Sequence, residues 1–304
     1  MKYKVIALAV SGALLAACGS DNDNYVEPTA TPVQAFDGAV RFLDAYIECN
    51  ELGFDYIGET GNKGLIDIPK GFNTTFDEDP SQCVLEFGEN IPEYGNGGTN
   101  KAIDESNSKD MSNVRYLVPP QLLSSGGSIA ATPHSTLIAL KIFEAEDNGE
   151  AVNLDAIIRE TFVSTLPANT DFDEFDLDEM KEYLSDPEST LDDLDSETSK
   201  NLQASTMILS DAIAGSVAAD ALDISKLETS TQSAATDLAS NPGFPKNDDG
   251  KPTYVELSSD FESYFDGTTT TPPTAPTDPD DLTPGEELDP IEDIPTGGTG
   301  GTAG

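Results

Sequence analysis

Few side chains of this sequence could carry out chemistry, and one of them is the single histidine. His134 is followed directly by Ser135, which places a base beside a hydroxyl. Neighbouring residues on a helix point about 100° apart, so these two side chains do not share a proton-transfer geometry. The chain contains no G-x-S-x-G nucleophile turn. The pair therefore predicts a position at the start of a helix, and we expect no enzymatic activity.

An acidic run, DFDEFDLDEMKE, offers oxygen ligands for a cation. In the register of an EF-hand loop it fails, because a phenylalanine stands at position five and Asp176 stands where a glycine is needed. Two interpretations stay open: weak Ca²⁺ binding, and acids that cap and solvate helix starts. With one histidine and no cysteine cluster, we expect no zinc or iron–sulfur site and no other cofactor. The weak candidate ligands for Ca²⁺ are Asp171, Asp173, Asp176 and Asp178.

The first of the three cysteines follows an apolar segment near the start of the chain. Lys2 and Lys4 precede thirteen apolar or small residues, numbers 5–17, and Cys18 ends the run. At 1.5 Å per residue this segment is too short for a hydrocarbon layer of ~30 Å, so it predicts an export signal. The sequence Leu15-Ala16-Ala17-Cys18 resembles the lipobox of bacterial lipoproteins. The alternative is an ordinary signal peptide in which Cys18 occurs by chance.

The lipobox resemblance implies a location. In lipoproteins the chain is cut before the cysteine, which receives a diacylglycerol thioether and commonly a third acyl chain. Residues 1–17 would then be the signal peptide and residues 18–32 a lipidated tether. Gly19 and Ser20 follow Cys18 in place of the aspartate that retains lipoproteins at the inner membrane. The resemblance therefore implies lipid anchoring in the bacterial outer membrane, with the periplasmic or extracellular face left open.

The other two cysteines, Cys49 and Cys83, would share the oxidising compartment that export implies. We expect a disulfide between them, worth about 3–4 kcal/mol in the chain-entropy description. The alternative is two buried free thiols. Both cysteines fall on apolar faces of predicted strands, where a bond across a small β-sandwich would join them.

The elements that position these residues form two groups, which predict an α+β fold. Residues 33–125 alternate between apolar and polar side chains and carry Gly and Pro between short runs, a pattern typical of an antiparallel β-sandwich. Residues 126–245 show helical periodicity, with Thr132 as a cap before Pro133 and a long helix from Ser199 to Leu222. They predict a helical bundle after the sandwich.

The C-terminal part is predicted to lose order. Residues 246–266 read as a short ordered or partly ordered segment. Residues 267–304 are rich in Pro, Thr, Gly and acids and contain no Lys or Arg. Such a composition buries too little apolar area to offset its ordering entropy, so we expect a disordered acidic tail.

Two stretches resemble carboxypeptidase-regulatory-like modules of bacterial surface proteins. GETGNKGLIDIP resembles their Thr-Asp-x-x-Gly turn and strand, with Gly61 in place of the aspartate. ATPHSTLIA resembles the segment that follows such modules in secreted proteins of marine Gram-negative bacteria, with His134 as the departure. The resemblance covers roughly residues 33–215 and implies an architecture, a sandwich without chemistry of its own.

The net charge of the chain limits the classes of partner that it can bind. Fifty-seven acidic and fifteen basic residues give a net charge of −42. This excludes nucleic acid and electrostatic docking on anionic lipid, both of which need basic surfaces. We therefore expect a non-enzymatic structural or interaction lipoprotein, for envelope organisation, adhesion or surface display, with an envelope or surface protein as partner. The alternative is a binding protein for a small ligand or Ca²⁺ that uses a cleft between the two units.

Overall fold

Two β-sheets share one hydrophobic core in the N-terminal part of the chain. The computed structural model describes residues 30–50, 53–89, 91, 97–123 and 128–291. The strands are β1 Ala30–Ala35, β2 Val40–Arg41, β3 Asp44–Cys49, β4 Phe54–Glu59, β5 Leu65–Pro69, β6 Cys83–Gly88, β7 Ile103–Asp104, β8 Arg115–Val118, β9 Ile129–Ala131, β10 Thr253–Tyr254 and β11 Thr283–Pro284. One sheet has the order β5-β1-β9 and the other the order β4-β3-β6-β8. We call these two sheets the sandwich.

The predicted alternation places the sandwich core. Leu43, which directly precedes β3, and Ala45 and Ile47 of β3 are fully buried, and Leu85 and Phe87 of β6 lie in the same core. A period of two sends alternate side chains to opposite faces of a strand, so these five residues line the same interior. The prediction of strands in this region is confirmed, and so is the α+β class.

The disulfide is confirmed, but its place in the sandwich differs from the prediction. Cys49 and Cys83 are bonded and lie opposite one another in the antiparallel pairing of β3 and β6. Their Cα atoms are 4.2 Å apart, close to the short spacing of directly opposed residues on neighbouring strands. The bond therefore links two neighbouring strands of one sheet and does not connect the two sheets.

Strand β9 corrects the boundary predicted at residues 125 and 126. This strand pairs in parallel with β1, so the sandwich is not purely antiparallel and extends to Ala131. A three-residue strand is too short to show alternation, which is why the pattern did not reveal it. Because β9 leads directly into the first long helix, the sandwich and the helices are joined without a linker.

Most helices of the described chain lie within the predicted helical region, residues 126–245, but three lie outside it, and the long helix ends at Ala218 where Leu222 was expected. The helices are α1 Thr74–Glu78, α2 Pro120–Leu123, α3 Pro133–Asp147, α4 Leu154–Thr165, α5 Leu177–Tyr183, α6 Pro187–Asp193, α7 Ser196–Ala218, α8 Ile224–Ser240 and α9 Ser258–Phe265. Thr132 caps α3 in a capping box with Ser135, and Pro133 occupies the first turn, as expected. Helix α7 is buried along most of its length and packs against α8 and α9.

Gly215 permits a close approach of α7 and α9. A Cβ atom at this position would lie 2.6 Å from the backbone nitrogen of Glu262 and 2.6 Å from the Cβ of Phe261. These separations are shorter than side chains tolerate, so a glycine is required for the two helices to touch.

The C-terminal part departs from the prediction of disorder between residues 267 and 291. Strand β11 pairs with β10, and Ala275 and Leu282 are buried in the helical core. Farther on, the Leu288 N–H donates to the Glu105 carbonyl at 2.9 Å, which ties the chain to the loop after β7. Composition missed this order because the segment uses apolar surface and hydrogen-bonding groups of other elements. Residues 292–304 of the predicted tail lie outside the described residues.

The N-terminal predictions fall mostly outside the described part. The signal peptide, residues 1–17, Cys18 and most of the tether lie there. The tether was expected to run to residue 32, but β1 begins at Ala30, which lies opposite Pro69 in the antiparallel pairing with β5.

Candidate functional site

The single histidine is enclosed at the start of α3. His134 has no exposed surface, and its Nε2 lies 3.2 Å from the Ser205 hydroxyl. Its ring stacks on Phe162 at a centroid distance of 4.5 Å. Burial lowers the pKa of His134 to about 3, which keeps the imidazole neutral. The predicted position at a helix start is confirmed, and the ring is part of the packed core.

Ser135, the residue after His134, connects the start of α3 to the backbone of β8. Its Oγ accepts a hydrogen bond from the Thr132 N–H at 2.9 Å and donates to the Leu117 carbonyl at 2.7 Å. The hydroxyl also lies 2.9 Å from the Thr132 carbonyl, so its proton is directed at these two backbone carbonyls and not at the imidazole. The arrangement fastens α3 to the sandwich.

The acidic run serves the ends of short helices. Asp176 caps α5 by accepting from the N–H groups of Asp178 and Glu179, and Asp171 accepts from that of Asp173. These are the roles of acids at helix N-termini. Among the described residues, no group of three or more His, Cys, Asp or Glu side chains could hold a metal ion. The predicted candidates Asp171, Asp173, Asp176 and Asp178 are not brought together as such a group.

A group of charged and polar side chains lies buried where the sandwich meets the helices. Asp37 follows β1, Asp104 ends β7, and Lys109 lies in the loop after it. Tyr116 comes from β8, while Ser210 and Asp211 come from the middle of α7. All six are at most 6% exposed. We call the set the buried charge cluster; its members are Asp37, Asp104, Lys109, Tyr116, Ser210 and Asp211.

An ion pair between Lys109 and Asp211 forms the centre of the cluster. The Lys109 Nζ lies 2.7 Å from Asp211 Oδ1, and the two side chains are 2% and 5% exposed. Burial alone would lower the pKa of Lys109, but the charges of Asp211 and Asp37 outweigh it and the pKa lies above its usual value. The second carboxylate oxygen, Asp211 Oδ2, accepts from the Leu257 N–H at 2.9 Å.

Asp37 is the least satisfied member of the cluster. Tyr116 donates to its Oδ2 at 3.4 Å, and the Tyr116 hydroxyl also lies 2.9 Å from Ser210 Oγ. The other oxygen, Oδ1, is buried and has no hydrogen-bond partner. Burial raises the pKa of Asp37 well above its ordinary range, partly offset by the charge of Lys109. Its carboxyl group is thus driven towards the protonated form.

Asp104 organises the loop that presents Lys109. Its oxygens accept from the N–H and hydroxyl of Ser106 and from the side-chain amide of Asn107, each at 2.7 Å. Burial nevertheless raises the pKa of Asp104 to about 6. These bonds fold residues 104–109 into a turn, with Lys109 at its end.

Sequence patterns did not predict the buried charge cluster. Lys109 and Asp211 are 102 positions apart, and no spacing rule connects them. One signal was available: Asp211 interrupts the apolar stretch MILSDAIAG of α7. A carboxylate within a buried helix needs a partner, because desolvating an unpaired charge is costly.

A cleft opens on the surface close to this junction. Its volume is about 410 Å³, and it lies between the sandwich edge at residues 112–115 and helices α7 and α9. The charged side chains in its wall are Glu89, Arg115 and Glu262, with Ser112, Ser258 and Ser259 between them. Its size lies within the range of small-molecule sites.

The described part of the chain contains no helix that is both long enough and apolar enough to cross a membrane. Compared with protein-family models, curated proteins and solved structures, this chain has no match.

Proposed function

We propose that this protein is a lipid-anchored lipoprotein of the bacterial outer membrane that acts as a non-enzymatic interaction module. The lipobox resemblance of Leu15-Ala16-Ala17-Cys18 supports the anchor. The observation that supports the interaction role is an acidic face formed by α5, α6 and their flanking turns. Residues 171–197 contain thirteen acids and one base, Lys181. So uneven a surface attracts a positively charged partner and repels acidic ones.

The acids of this face divide into two sets by their contacts. Asp176, Asp186 and Asp195 cap helices, and Glu188 pairs with Lys63. A second set is exposed, and within the described structure its carboxylates make no hydrogen bond or ion pair. Capping hydrogen bonds do not explain the second set, although Asp178 lies in the first turn of α5, and its exposed carboxylates support a role in recognition. Its members are Asp178, Glu182, Asp192 and Asp193.

The anchor is tested by membrane fractionation of the exported protein. We expect native protein in the outer-membrane fraction, with fatty acid attached, and a Cys18→Ser variant released in soluble form. Several acyl chains are needed for such durable attachment, since a single chain binds only weakly. A Cys18→Ser protein that stays membrane-associated would contradict the proposal.

The interaction role is tested with two charge variants of equal size. The first neutralises the exposed set through Asp178→Asn, Glu182→Gln, Asp192→Asn and Asp193→Asn. The control neutralises four acids elsewhere through Asp220→Asn, Asp237→Asn, Asp248→Asn and Asp249→Asn. After amine-reactive cross-linking of intact membranes, we expect the same higher-mass adduct from native and control proteins, and its loss in the first variant. Identical patterns from all three proteins would argue against the acidic face.

The cleft supports a second candidate function, the binding of a small polar molecule. Its wall combines carboxylates, a guanidinium and hydroxyls, which suit a ligand that both donates and accepts hydrogen bonds. Thermal unfolding in the presence of sugars and amino acids, and separately of Ca²⁺, tests this function. We expect a ligand-dependent rise in Tm that Ala218→Trp abolishes by filling the cleft. No rise with any of these molecules would remove the candidate.

A further inference from the structure

The buried charge cluster holds the reactants for a covalent bond. An amine and a carboxylate, on Lys109 and Asp211, meet at 2.7 Å in a site closed to water. A nitrogen at hydrogen-bond distance from a carboxylate oxygen lies roughly 3–3.5 Å from the carboxyl carbon, the separation of a near-attack arrangement. Because both groups are immobilised by the fold, their reaction would be intramolecular.

We propose that Lys109 and Asp211 join in an amide crosslink that the protein forms on itself, which covalently links the sandwich to helix α7. The proposal rests on the enclosure of this pair and on the free oxygen of Asp37 beside it. It is independent of the membrane anchor and of the acidic face.

The reaction requires that the amine be neutral and that an oxygen of Asp211 leave as water. Within the ion pair, one proton passes from the Lys109 ammonium to the Asp211 carboxylate. The nitrogen then attacks the Asp211 Cγ and a C–N bond forms. Oδ2 stays bound to the Leu257 N–H, which stabilises the negative charge that develops there, and becomes the amide oxygen. Oδ1 departs with two protons as one water molecule.

Asp37 is suited to move the protons. Its Oδ1 lacks a partner, while Tyr116 holds Oδ2 and thereby fixes the orientation of the carboxyl group. A protonated Asp37 donates to the leaving hydroxyl and then takes the remaining proton from the new amide nitrogen. It finishes as it began, so the net change is an ammonium and a carboxylate converted to an amide and water. No oxidant or co-reactant is consumed.

The structure explains why the competing paths are suppressed. Burial, with the two side chains 2% and 5% exposed, opposes the charged forms of both groups, although the neighbouring carboxylates keep the pKa of Lys109 above its usual value. The same enclosure excludes bulk water, which would hydrolyse an activated carboxyl group. The fold thus supplies proximity and a low dielectric environment.

Peptide mapping of the native, fully reduced protein tests the proposal. We expect a branched peptide that joins the segment around Lys109 to the segment around Asp211, with a mass lower than the two peptides together by one water. Separate, unmodified Lys109 and Asp211 peptides would overturn the proposal. A loss of water without a joined peptide would also overturn it, since a cyclised aspartate has the same mass.

Two variants test whether the branched peptide depends on the reacting amine and on the proton carrier. Lys109→Arg keeps a cation beside Asp211 but supplies no nucleophilic amine, so it must lack the branched peptide. Asp37→Asn keeps both reactants and removes the proton carrier, and we expect at least a tenfold slower appearance of the branched peptide after refolding. Equal rates in native and Asp37→Asn proteins would overturn the role of Asp37. Should this variant not fold, Tyr116→Phe removes only the hydroxyl that orients Asp37, and we expect the branched peptide to appear more slowly than in native protein; equal rates would contradict the role of the oriented Asp37.

Discussion

The buried imidazole predicts a specific loss of stability in mild acid. His134 has a pKa near 6.5 when the chain is unfolded and about 3 in the folded protein, because burial disfavours its charged form. Between these values the unfolded chain binds a proton that the folded protein does not. The contribution is therefore complete above pH 6.5 and is lost progressively as the pH falls towards 3.

The size of the effect follows from the two pKa values. At about 1.4 kcal/mol per tenfold change in proton affinity, lowering the pH from about 7.5 to about 4.5 removes about 2–3 kcal/mol. Asp37 and Asp104 act in the opposite direction, since their raised pKa values favour the folded protein as the pH falls. The measurement must therefore remove the pH-dependent contribution of these two acids to the free energy of unfolding.

Urea unfolding of native protein and a His134→Gln variant across this pH range provides the cancellation. Glutamine can still bond to the Ser205 hydroxyl but does not titrate, and both proteins contain the same acids. We expect the free energy of unfolding of the native protein to fall by about 2–3 kcal/mol more than that of the variant. Parallel pH profiles would refute the claim that the imidazole stays neutral in the folded protein.

Three further predictions concern stability at neutral pH. Replacing Cys49 and Cys83 together by alanine should lower the free energy of unfolding by about 3–4 kcal/mol, and native protein in reductant should match the variant; an unchanged urea midpoint would contradict this. A chain that ends at Asp266 should unfold more easily than one that ends at Ile291, by roughly 3 kcal/mol, because it loses two buried apolar side chains and several hydrogen bonds; coincident melting curves would show that the segment adds nothing. Gly215→Ala should lower the free energy of unfolding by about 1–3 kcal/mol, because the added Cβ pushes α9 away from α7. An unchanged or higher free energy of unfolding would show that the close contact does not require glycine.

The sequence predicted those features that depend only on residues within one helix or strand. Thr132 and Pro133 predicted the start of α3, because capping depends on residues within one turn. Alternating apolar residues around Leu43 and Leu85 predicted β3 and β6, because alternate side chains of a strand point to the same face. The pairing of Cys49 with Cys83 followed from their number and from the expected compartment.

Features that depend on distant partners could not be predicted. Strand β9 is ordered by pairing with β1, about a hundred residues earlier in the chain, and its own three residues show no pattern. The segment 267–291 has a composition typical of disorder, yet it fills gaps left by other elements. The contact between Lys109 and Asp211 required the relative placement of the sandwich and α7, which no local rule supplies.

The two ends of the described chain differ in how they would respond to tension. The register of β1 runs from Ala30 opposite Pro69 to Gln34 opposite Leu65, so a pull from the N-terminal side acts along the strand and shears several hydrogen bonds at once. At the other end of the described chain, Ile291 makes two hydrogen bonds with Asn62, which lies shortly before the first residue of β5. A pull there would open those bonds first and then peel the preceding contacts one after another. Force applied between the ends should therefore release the C-terminal segment stepwise before the sheet yields.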